Sequence, residues 1–240
     1  MKYAIIAAGE GSRLAAEGVT LPKPLVEVGG ESLLERLIRI FMQHDATEIS
    51  VVCNEQMTQV AHRLEQLQHG GLHGKAVPLN YVVKSTPSSM HSFHALAPYL
   101  EGCEAFVLTT VDTIFREEDF SRYVDALSSA VAAGYDGLMG VTDFVDDEKP
   151  LYVGTDEDMD ITGFFDTPSG CRYISGGIYG LTPAALATLS RCVERGESRM
   201  RNFQRALVAD GQRLRAHAFG QVLDIDHRSD IEKAEDLLRA

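Results

Sequence analysis

Residues 3–14, Tyr-Ala-Ile-Ile-Ala-Ala-Gly-Glu-Gly-Ser-Arg-Leu, decide the fold of this chain. Tyr3–Ala7 is an apolar run of the length of one buried strand. Gly9 and Gly11 follow it, and Arg13 comes next. A glycine-rich turn allows backbone amides to approach an anion closely. The segment therefore predicts a buried strand with an anion-binding loop at its carboxyl end.

The loop differs from two common nucleotide-binding motifs. It is not the dinucleotide motif G-x-G-x-x-G, because Leu14 stands where that motif has its third glycine. It is not a P-loop, because the chain has no G-x-x-x-x-G-K-[ST]. Taken alone, Gly9 and Gly11 are also compatible with an ordinary turn after a strand.

A basic residue held between two prolines follows the loop, in Leu-Pro-Lys-Pro-Leu at residues 21–25. Pro22 and Pro24 favour an extended, pre-ordered backbone around Lys23. Such stiffness is useful if Lys23 must point at a charge. Arg13 suits bidentate contact with phosphate oxygens, and Lys23 supplies a compact positive charge. The alternative is a surface lysine beside a proline turn.

Composition and charge exclude several classes of protein. The chain has 240 residues, a formal net charge of −13, and 45% hydrophobic residues, which is ordinary for a globular protein. The acidic balance argues against nucleic-acid and anionic-membrane partners, which need a positive face. No apolar run approaches the roughly 18 residues of a membrane span. The four cysteines are scattered, and we expect reduced thiols in the cytoplasm.

Strands and helices alternate through the first half of the sequence. The pattern predicts strands at residues 3–7, 48–53, 79–83 and 105–110, and helices at 32–42, 56–67, 89–100 and 117–132. Ser32 and Glu35 have the spacing of a capping box at the start of one helix. This alternation predicts a doubly wound parallel sheet with helices on both faces, a three-layer α/β/α Rossmann-like fold.

The pattern loosens after Gly134, and shorter strands are predicted there. They cover residues 137–141, 152–154, 160–165, 173–179, 214–219 and 222–225. A last helix is expected to be capped by Ser229 and Glu232. We predict a single domain over residues 1–240 with a mostly parallel sheet that becomes mixed in its second half. Residues 1–133 form the regular, nucleotide-type half of this pattern, and residues 134–240 are expected to shape a substrate pocket.

The first segments together resemble the nucleotidyltransferase family. The resemblance is carried by Ala-Ala-Gly-x-Gly-Ser-Arg-Leu at 7–14, Pro-Lys-Pro-Leu at 22–25, Gly-Gly at 29–30 and the leucine-rich helix after them. It points to sugar-phosphate nucleotidylyltransferases and phosphocholine cytidylyltransferase-like enzymes, whose GT-A-like Rossmann fold is that of nucleotide-diphospho-sugar transferases. The resemblance implies transfer of a nucleoside monophosphate from a triphosphate to a small phosphorylated acceptor, with release of pyrophosphate. It implies nucleotide binding by Ala8, Gly9, Gly11, Ser12, Arg13 and Lys23, with Arg13 and Lys23 catalytic.

Two acidic positions are candidates for a metal site. Asp112 follows a predicted strand, where a carboxylate faces the ligand crevice, and carboxylate with phosphate oxygens and water suits Mg²⁺. Asp224 and Asp226 would point the same way in an extended segment. The resemblance implies that Asp112 and one of these two hold Mg²⁺, and we favour Asp226 while keeping Asp224 open. Asp226 could instead only stabilise the last helix.

Two further segments resemble parts of the family that contact substrates. Ser88 and Ser89 correspond to the segment near the nucleobase, although Ser88 is also a plain helix-cap candidate. Gly176, Gly177 and Tyr179 lie on the strand that corresponds to the acceptor pocket. A Glu-Lys pair that many sugar-nucleotide enzymes carry before that strand is absent, which weakens the case for a standard sugar 1-phosphate.

Two other functions remain open from the sequence. A nucleotide-binding regulator of the same fold would keep the glycine loop, but it would not need the aspartates. A glycosyltransferase that uses a nucleotide sugar would usually lack the Gly-x-Gly-x-Arg and Pro-Lys-Pro pair. The sequence identifies neither the base, the acceptor nor the oligomeric state.

Overall fold

The computed structural model describes residues 1–146 and 148–239. Its strands are β1 Lys2–Ala7, β2 Glu27–Val28, β3 Glu31–Ser32, β4 Glu48–Cys53, β5 Leu79–Val83, β6 Phe106–Thr110, β7 Thr113–Ile114, β8 Gly137–Thr142, β9 Tyr152–Thr155, β10 Ile161–Phe165, β11 Tyr173–Leu181, β12 Leu214–Ala218 and β13 Leu223–Asp224. Its helices are α1 Ser12–Ala16, α2 Leu33–Gln43, α3 Thr58–Gly70, α4 Ser89–Leu100, α5 Glu117–Ala132, α6 Ala184–Glu194, α7 Met200–Ala209 and α8 Arg228–Arg239, with a 3₁₀ turn at Lys23–Leu25.

Four parallel strands form the first half of the main sheet, in the order β5-β4-β1-β6. Ile5 of β1 pairs with Val51 of β4 on one side and with Thr109 of β6 on the other. The helical crossovers of the first half connect these strands, as the alternating sequence pattern predicts. The parallel half of the fold is therefore confirmed.

The second half extends the same sheet with mixed strand directions. The long strand β11 runs antiparallel to β6, and it also pairs antiparallel with β8 and β9. Beyond these, β10 pairs antiparallel with β9, and β12 pairs parallel with β8. The predicted mixed second half is confirmed, and strands from both halves of the chain belong to one sheet.

Helices cover both faces of the sheet because the side chains of β1 alternate between two buried clusters. Tyr3 and Ile5 pack with residues of α2, α3 and α5, and Tyr3 stacks on Phe41 at 4.4 Å between ring centroids. Ala4 and Ile6 pack on the other face with residues of α4, α6 and α7. The architecture is thus the predicted three-layer α/β/α arrangement.

The predicted cap of α2 is found in the structure, and the predicted cap of α8 is not. Ser32 accepts a hydrogen bond from the Glu35 amide at 3.3 Å, which confirms it as the cap of α2, and its hydroxyl donates to the Glu35 carboxylate at 2.9 Å. The predicted cap of the last helix is wrong, because α8 begins at Arg228, before Ser229. The Asp230 carboxylate instead accepts the His227 amide at 2.7 Å. The helix is therefore capped by Asp230 and not by Ser229.

Three smaller differences concern element bounds. The predicted helix 56–67 begins at Thr58 and continues to Gly70. The predicted strand 222–225 is reduced to Leu223–Asp224. Helix α7 was not predicted from the sequence, although its buried residues Met200, Phe203 and Leu207 have helical spacing. Among the described residues, no helix is both long and apolar enough to cross a bilayer.

Candidate active site

The loops at the carboxyl ends of β1, β4, β5 and β6 enclose a cavity of about 570 Å³, called the first cavity here. This is the position at which open α/β sheets bind ligands. The predicted nucleotide-binding residues all line it: Ala8, Gly9, Gly11, Ser12, Arg13, Lys23, Ser88 and Ser89. Asp112 and Asp226 complete its wall. Segments that lie far apart in the sequence therefore meet at one site.

Gly11 allows the glycine loop to pack against Lys23. Its backbone lies in the left-handed region, with φ at 61°, and it precedes α1. A Cβ atom at Gly11 would lie 3.0 Å from the Cβ atom of Lys23. A larger residue would meet both backbone strain and crowding at this position. Glycine is therefore required for the loop and the lysine to approach each other.

Lys23 is the centre of an ion-pair cluster. Its side chain is 8% exposed, and its ammonium group contacts the carboxylates of Asp112 and Asp226. Burial alone would lower the pKa of Lys23, but the two carboxylates outweigh this effect and hold the pKa above its usual value. Lys23 therefore stays charged, and the alternative of a surface lysine is wrong.

Two basic side chains contact the carboxylate of Asp226. Lys23 Nζ lies 2.8 Å from Asp226 Oδ1, and Arg13 Nη1 lies 2.8 Å from Asp226 Oδ2. Burial raises the pKa of Asp226, but the hydrogen bond and charge of Lys23 and the charge of Arg13 lower it below its ordinary value. Asp226 is therefore ionised near neutral pH, as a metal ligand must be.

Asp224 has a different environment from Asp226. Strand β13 ends at Asp224, and the chain then turns, with the Asp226 amide donating to the Asp224 carbonyl at 3.2 Å. The expected extended segment does not form, so the two carboxylates are not placed by the alternation of a strand. Asp224 accepts a hydrogen bond from Thr113 Oγ1 at 3.2 Å. The side chain of Asp224 is exposed to solvent, and the nearby carboxylate of Asp112 raises the pKa of Asp224.

The carboxylates of Asp112 and Asp226 converge on one point, since both contact Lys23 Nζ. In the part of the chain that the structure describes, no group of three or more His, Cys, Asp or Glu could by itself hold a metal ion. Mg²⁺ does not need such a cage, because it is often held by one or two carboxylates with water and substrate phosphates. The two aspartates beside the glycine loop therefore fit Mg²⁺.

A second cavity of about 270 Å³ adjoins the first, and Arg13 and Asp226 line both. It is bounded by residues of β8, β11, β13 and α8: Thr142, Ile174, Ser175, Gly176, Leu223, Asp224, Asp230 and Lys233. Side chains after β8 also reach it, among them Phe144, Asp146 and Glu148. Residues from both halves of the chain thus meet at the boundary between the cavities.

The three predicted acceptor residues on β11 occupy different environments. Gly176 lines the second cavity. Gly177 has φ at 71° beside a register shift between Ser175 and Ile178, and a Cβ atom there would lie 3.0 Å from Thr113 Oγ1. Tyr179 is 5% exposed, packs in the core and is not among the residues that line either cavity. Direct acceptor contact is thus available to Gly176.

Ser88 lines the first cavity without acting as a side-chain cap of α4. Its hydroxyl hydrogen-bonds His91 Nδ1 at 2.9 Å and accepts the Arg199 amide at 3.3 Å. Ser88 is thus the N-cap residue of α4 by position, but its hydroxyl does not bond a helix amide. The segment before α4 is instead tied to the start of α7, on the same face of the sheet.

Sequence reasoning missed several polar residues of the first cavity, which are Asn54, Thr86, Ser92 and Thr110. Asn54 follows β4, is 7% exposed, and accepts hydrogen bonds from Ser85 Oγ and the Gln56 amide, both at 2.9 Å. Ser92 is 2% exposed and bonds Thr86 Oγ1 at 2.6 Å. The position of Asn54 directly after a predicted strand was the signal that could have identified it.

Comparisons with known proteins agree with this fold. A glucose-1-phosphate cytidylyltransferase of Salmonella typhi is 23% identical over 209 residues, which cover 78% of this chain and 77% of that protein. The inositol-1-phosphate CTP transferase of T. maritima has a similar structure, with a TM-score of 0.77, 20% identity, and coverage of 98% of this chain and 95% of the other.

A second solved structure is similar over the whole chain. It belongs to a Bacillus anthracis protein assigned as a glucose-1-phosphate thymidylyltransferase, with a TM-score of 0.83, 21% identity, and coverage of 100% of this chain and 95% of the other. Residues 3–210 match the family described as the MobA-like NTP transferase domain. The match spans both the glycine loop and β11, and this chain belongs to that family of nucleotidyltransferases.

Proposed function

We propose that the enzyme transfers a nucleoside monophosphate from a triphosphate to a small phosphorylated acceptor, in a Mg²⁺-dependent reaction that releases pyrophosphate. The contact of Lys23 with both Asp112 and Asp226, at the boundary between two cavities, carries this proposal. Positive charge and metal-binding carboxylates are both needed where phosphate groups react. Both kinds of group are present at the boundary between the two cavities.

The triphosphate binds in the first cavity. Backbone amides of the loop Gly9–Arg13 surround its phosphates, and Arg13 and Lys23 neutralise the charge that develops during the reaction. Ser88 and Ser89 lie toward the nucleobase, together with Asn54 and Ser92. Their places in the cavity wall support these roles.

The acceptor binds in the second cavity, with its phosphate directed at the boundary. An acceptor phosphate oxygen attacks the α-phosphorus, a new P–O bond forms, and the bond from the α-phosphorus to the pyrophosphate oxygen breaks. A phosphate monoester is mostly doubly ionised at pH 7, because its second pKa is about 6. No general base and no nucleophile of the enzyme are therefore required, and catalysis rests on positioning and charge neutralisation.

Asp112 and Asp226 are the side chains that would hold Mg²⁺, which supplies positive charge to the phosphate oxygens when it is bound. Asp224 lines the second cavity and not the first, in which the glycine loop lies. Its hydrogen bond with Thr113 also makes it the weaker candidate. We therefore assign the second metal ligand to Asp226.

The relatives support a small phosphorylated acceptor, since they are enzymes of glucose 1-phosphate and inositol 1-phosphate. The sugar 1-phosphate class is accordingly one candidate, and phosphocholine-like and related small metabolites are the other. A reduced compartment is consistent with the four free cysteines, and the cytoplasm stays a prediction. Small-molecule partners, without nucleic acid or membrane, are part of the same proposal.

A pyrophosphate-release screen tests the proposal. The purified chain is incubated with ATP, CTP, GTP or UTP against a panel of sugar 1-phosphates, phosphocholine, phosphoethanolamine and inositol 1-phosphate, with Mg²⁺ or with EDTA. We expect release for at least one pair, with Mg²⁺ only. Release that needs no acceptor would contradict the proposal. Protection against thermal unfolding by nucleotide sugars but by no triphosphate would also contradict it, and would favour a glycosyltransferase.

A further inference from the structure

Glu17 connects the glycine-loop helix α1 to the start of α8. It follows α1 directly, and its two carboxylate oxygens have different partners on the other segment. One lies 2.6 Å from His227 Nδ1, and the other accepts the Arg228 amide at 2.7 Å. These partners are the two residues that follow Asp226. Glu17 thus binds the chain immediately beyond the proposed metal ligand.

The Glu17 carboxylate makes both contacts at short distances, 2.6 Å to the imidazole and 2.7 Å to the amide. Hydrogen bonds accepted by a carboxylate are stronger than those between neutral groups.

Asp230 holds the same short segment from the other side. Its buried carboxylate accepts the amides of Asp226 at 3.1 Å and of His227 at 2.7 Å. These contacts matter because strand pairing stops at Asp224, two residues before Asp226. The backbone of Asp226 is therefore positioned by Asp230 and, through His227 and Arg228, by Glu17.

We infer that Glu17 is a positioning residue for the metal site. Glu17 anchors His227 and Arg228 to the end of α1, the helix that also carries Arg13. It thereby fixes Asp226 beside Lys23. The inference rests on the proposed function, in that Asp226 is taken as a ligand. Glu17 itself lines neither cavity and does not touch the reacting groups. Residues that orient ligands in this way commonly change metal affinity or activity by about 10–100-fold when they are replaced.

The test compares three variants of the full chain. Glu17→Ala removes both contacts, and Glu17→Gln keeps an oxygen that can accept the Arg228 amide. Glu232→Ala is the matched control, since Glu232 is an exposed glutamate of α8 that lines neither cavity. Mn²⁺ binding is measured from the electron paramagnetic resonance signal of the free ion, without substrate, and the thermal midpoint is recorded for each variant.

We expect Glu17→Ala to raise the Kd for Mn²⁺ about 10–100-fold. Glu17→Gln should recover part of the loss, and Glu232→Ala should match the unmodified chain. In the pyrophosphate assay, the Glu17→Ala defect should shrink at high Mg²⁺, because a positioning defect in a metal site is offset by excess metal. A lower thermal midpoint with unchanged Mn²⁺ affinity would overturn the inference, since it would show a structural role only.

The two proposals fail in different ways. An unmodified chain that binds Mn²⁺ but releases no pyrophosphate would count against the proposed reaction and leave the Glu17 comparison intact. Because substrate phosphates complete a two-carboxylate site, the measurement on the unmodified chain is repeated with a triphosphate bound. An unmodified chain that binds no Mn²⁺ in either condition would overturn the metal assignment, and the positioning role with it.

Discussion

Asp226 Oδ1 lies 2.8 Å from Lys23 Nζ, although 203 residues separate the two in the sequence. This contact joins the N-terminal glycine-loop region to the segment before the last helix. Lys23 also contacts Asp112, which follows β6. The site is therefore assembled only when both halves of the sheet have formed, and each of its charges depends on the others.

Lys23→Ala should lower kcat by about 10²–10³-fold, because it removes a preorganised charge from the site of phosphate reaction. Lys75→Ala is the control, since Lys75 is exposed in the turn before β5, away from the carboxyl ends of the strands. Steady-state pyrophosphate release measures the effect, and circular dichroism checks the fold. Turnover of folded Lys23→Ala within a few-fold of the control would contradict the catalytic role of Lys23.

Asp226→Asn and Asp224→Asn should have different effects. Asp226→Asn should raise the half-saturating Mg²⁺ concentration at least about tenfold, because a carboxylate ligand is replaced by a neutral amide. Asp224→Asn should act mainly on the KM of the acceptor, because Asp224 lines the second cavity. Initial rates, measured while the concentrations of Mg²⁺ and of the acceptor are varied independently, distinguish the two effects. The reverse pattern would move the metal ligand to Asp224.

Gly11→Ala should lower the free energy of unfolding by about 1–2 kcal/mol, the usual cost of a left-handed backbone for a residue with a side chain. The new Cβ atom would also crowd Lys23. Gly9→Ala is the matched stability control, since Gly9 has no positive φ and a Cβ atom there would meet nothing within 4 Å. Urea denaturation compares the two, and equal stabilities would show that Gly11 is not required by its conformation.

Glu117 gives a prediction for stability against pH. Its hydrogen bond with Arg39 is the largest effect that lowers the pKa of Glu117 below 4.5, and Arg36 adds to it. A lowered folded-state pKa contributes stability above the unfolded value, and this contribution disappears as the pH falls through the folded value. Glu117→Gln should therefore cost about 1–2 kcal/mol at pH 7 and progressively less below pH 4.5. Denaturation at pH 7, 5, 4 and 3 measures it, and a constant difference would contradict the assignment.

Much of the fold was predictable from periodicity. Tyr3–Ala7 and the strand–helix alternation after it specify the parallel half, because a strand and a crossover helix have different hydrophobic periods. The small elements were less predictable. The two-residue strands β2, β3, β7 and β13 are too short to show a period. The start of α8 depends on Asp230, which is one of several residues there that can cap a helix.

The site was predictable where the sequence carries a motif. Gly9, Gly11, Arg13 and Lys23 belong to one N-terminal segment, and all four line the first cavity. Contacts between distant residues could not be read in this way. Nothing in the spacing of Glu17 and His227 indicates that they meet, and a strand pattern around Asp226 suggested an extended segment that the turn after Asp224 replaces.

Isotope transfer tests the central claim most directly. The best triphosphate and acceptor from the screen are used in parallel reactions with ³²P at the α or at the γ position. The account predicts that the α label appears in the acceptor product and the γ label in pyrophosphate, in equal molar amounts and only with Mg²⁺. The γ label in the acceptor product, or an α label that stays on free nucleotide while the triphosphate is consumed, would contradict it.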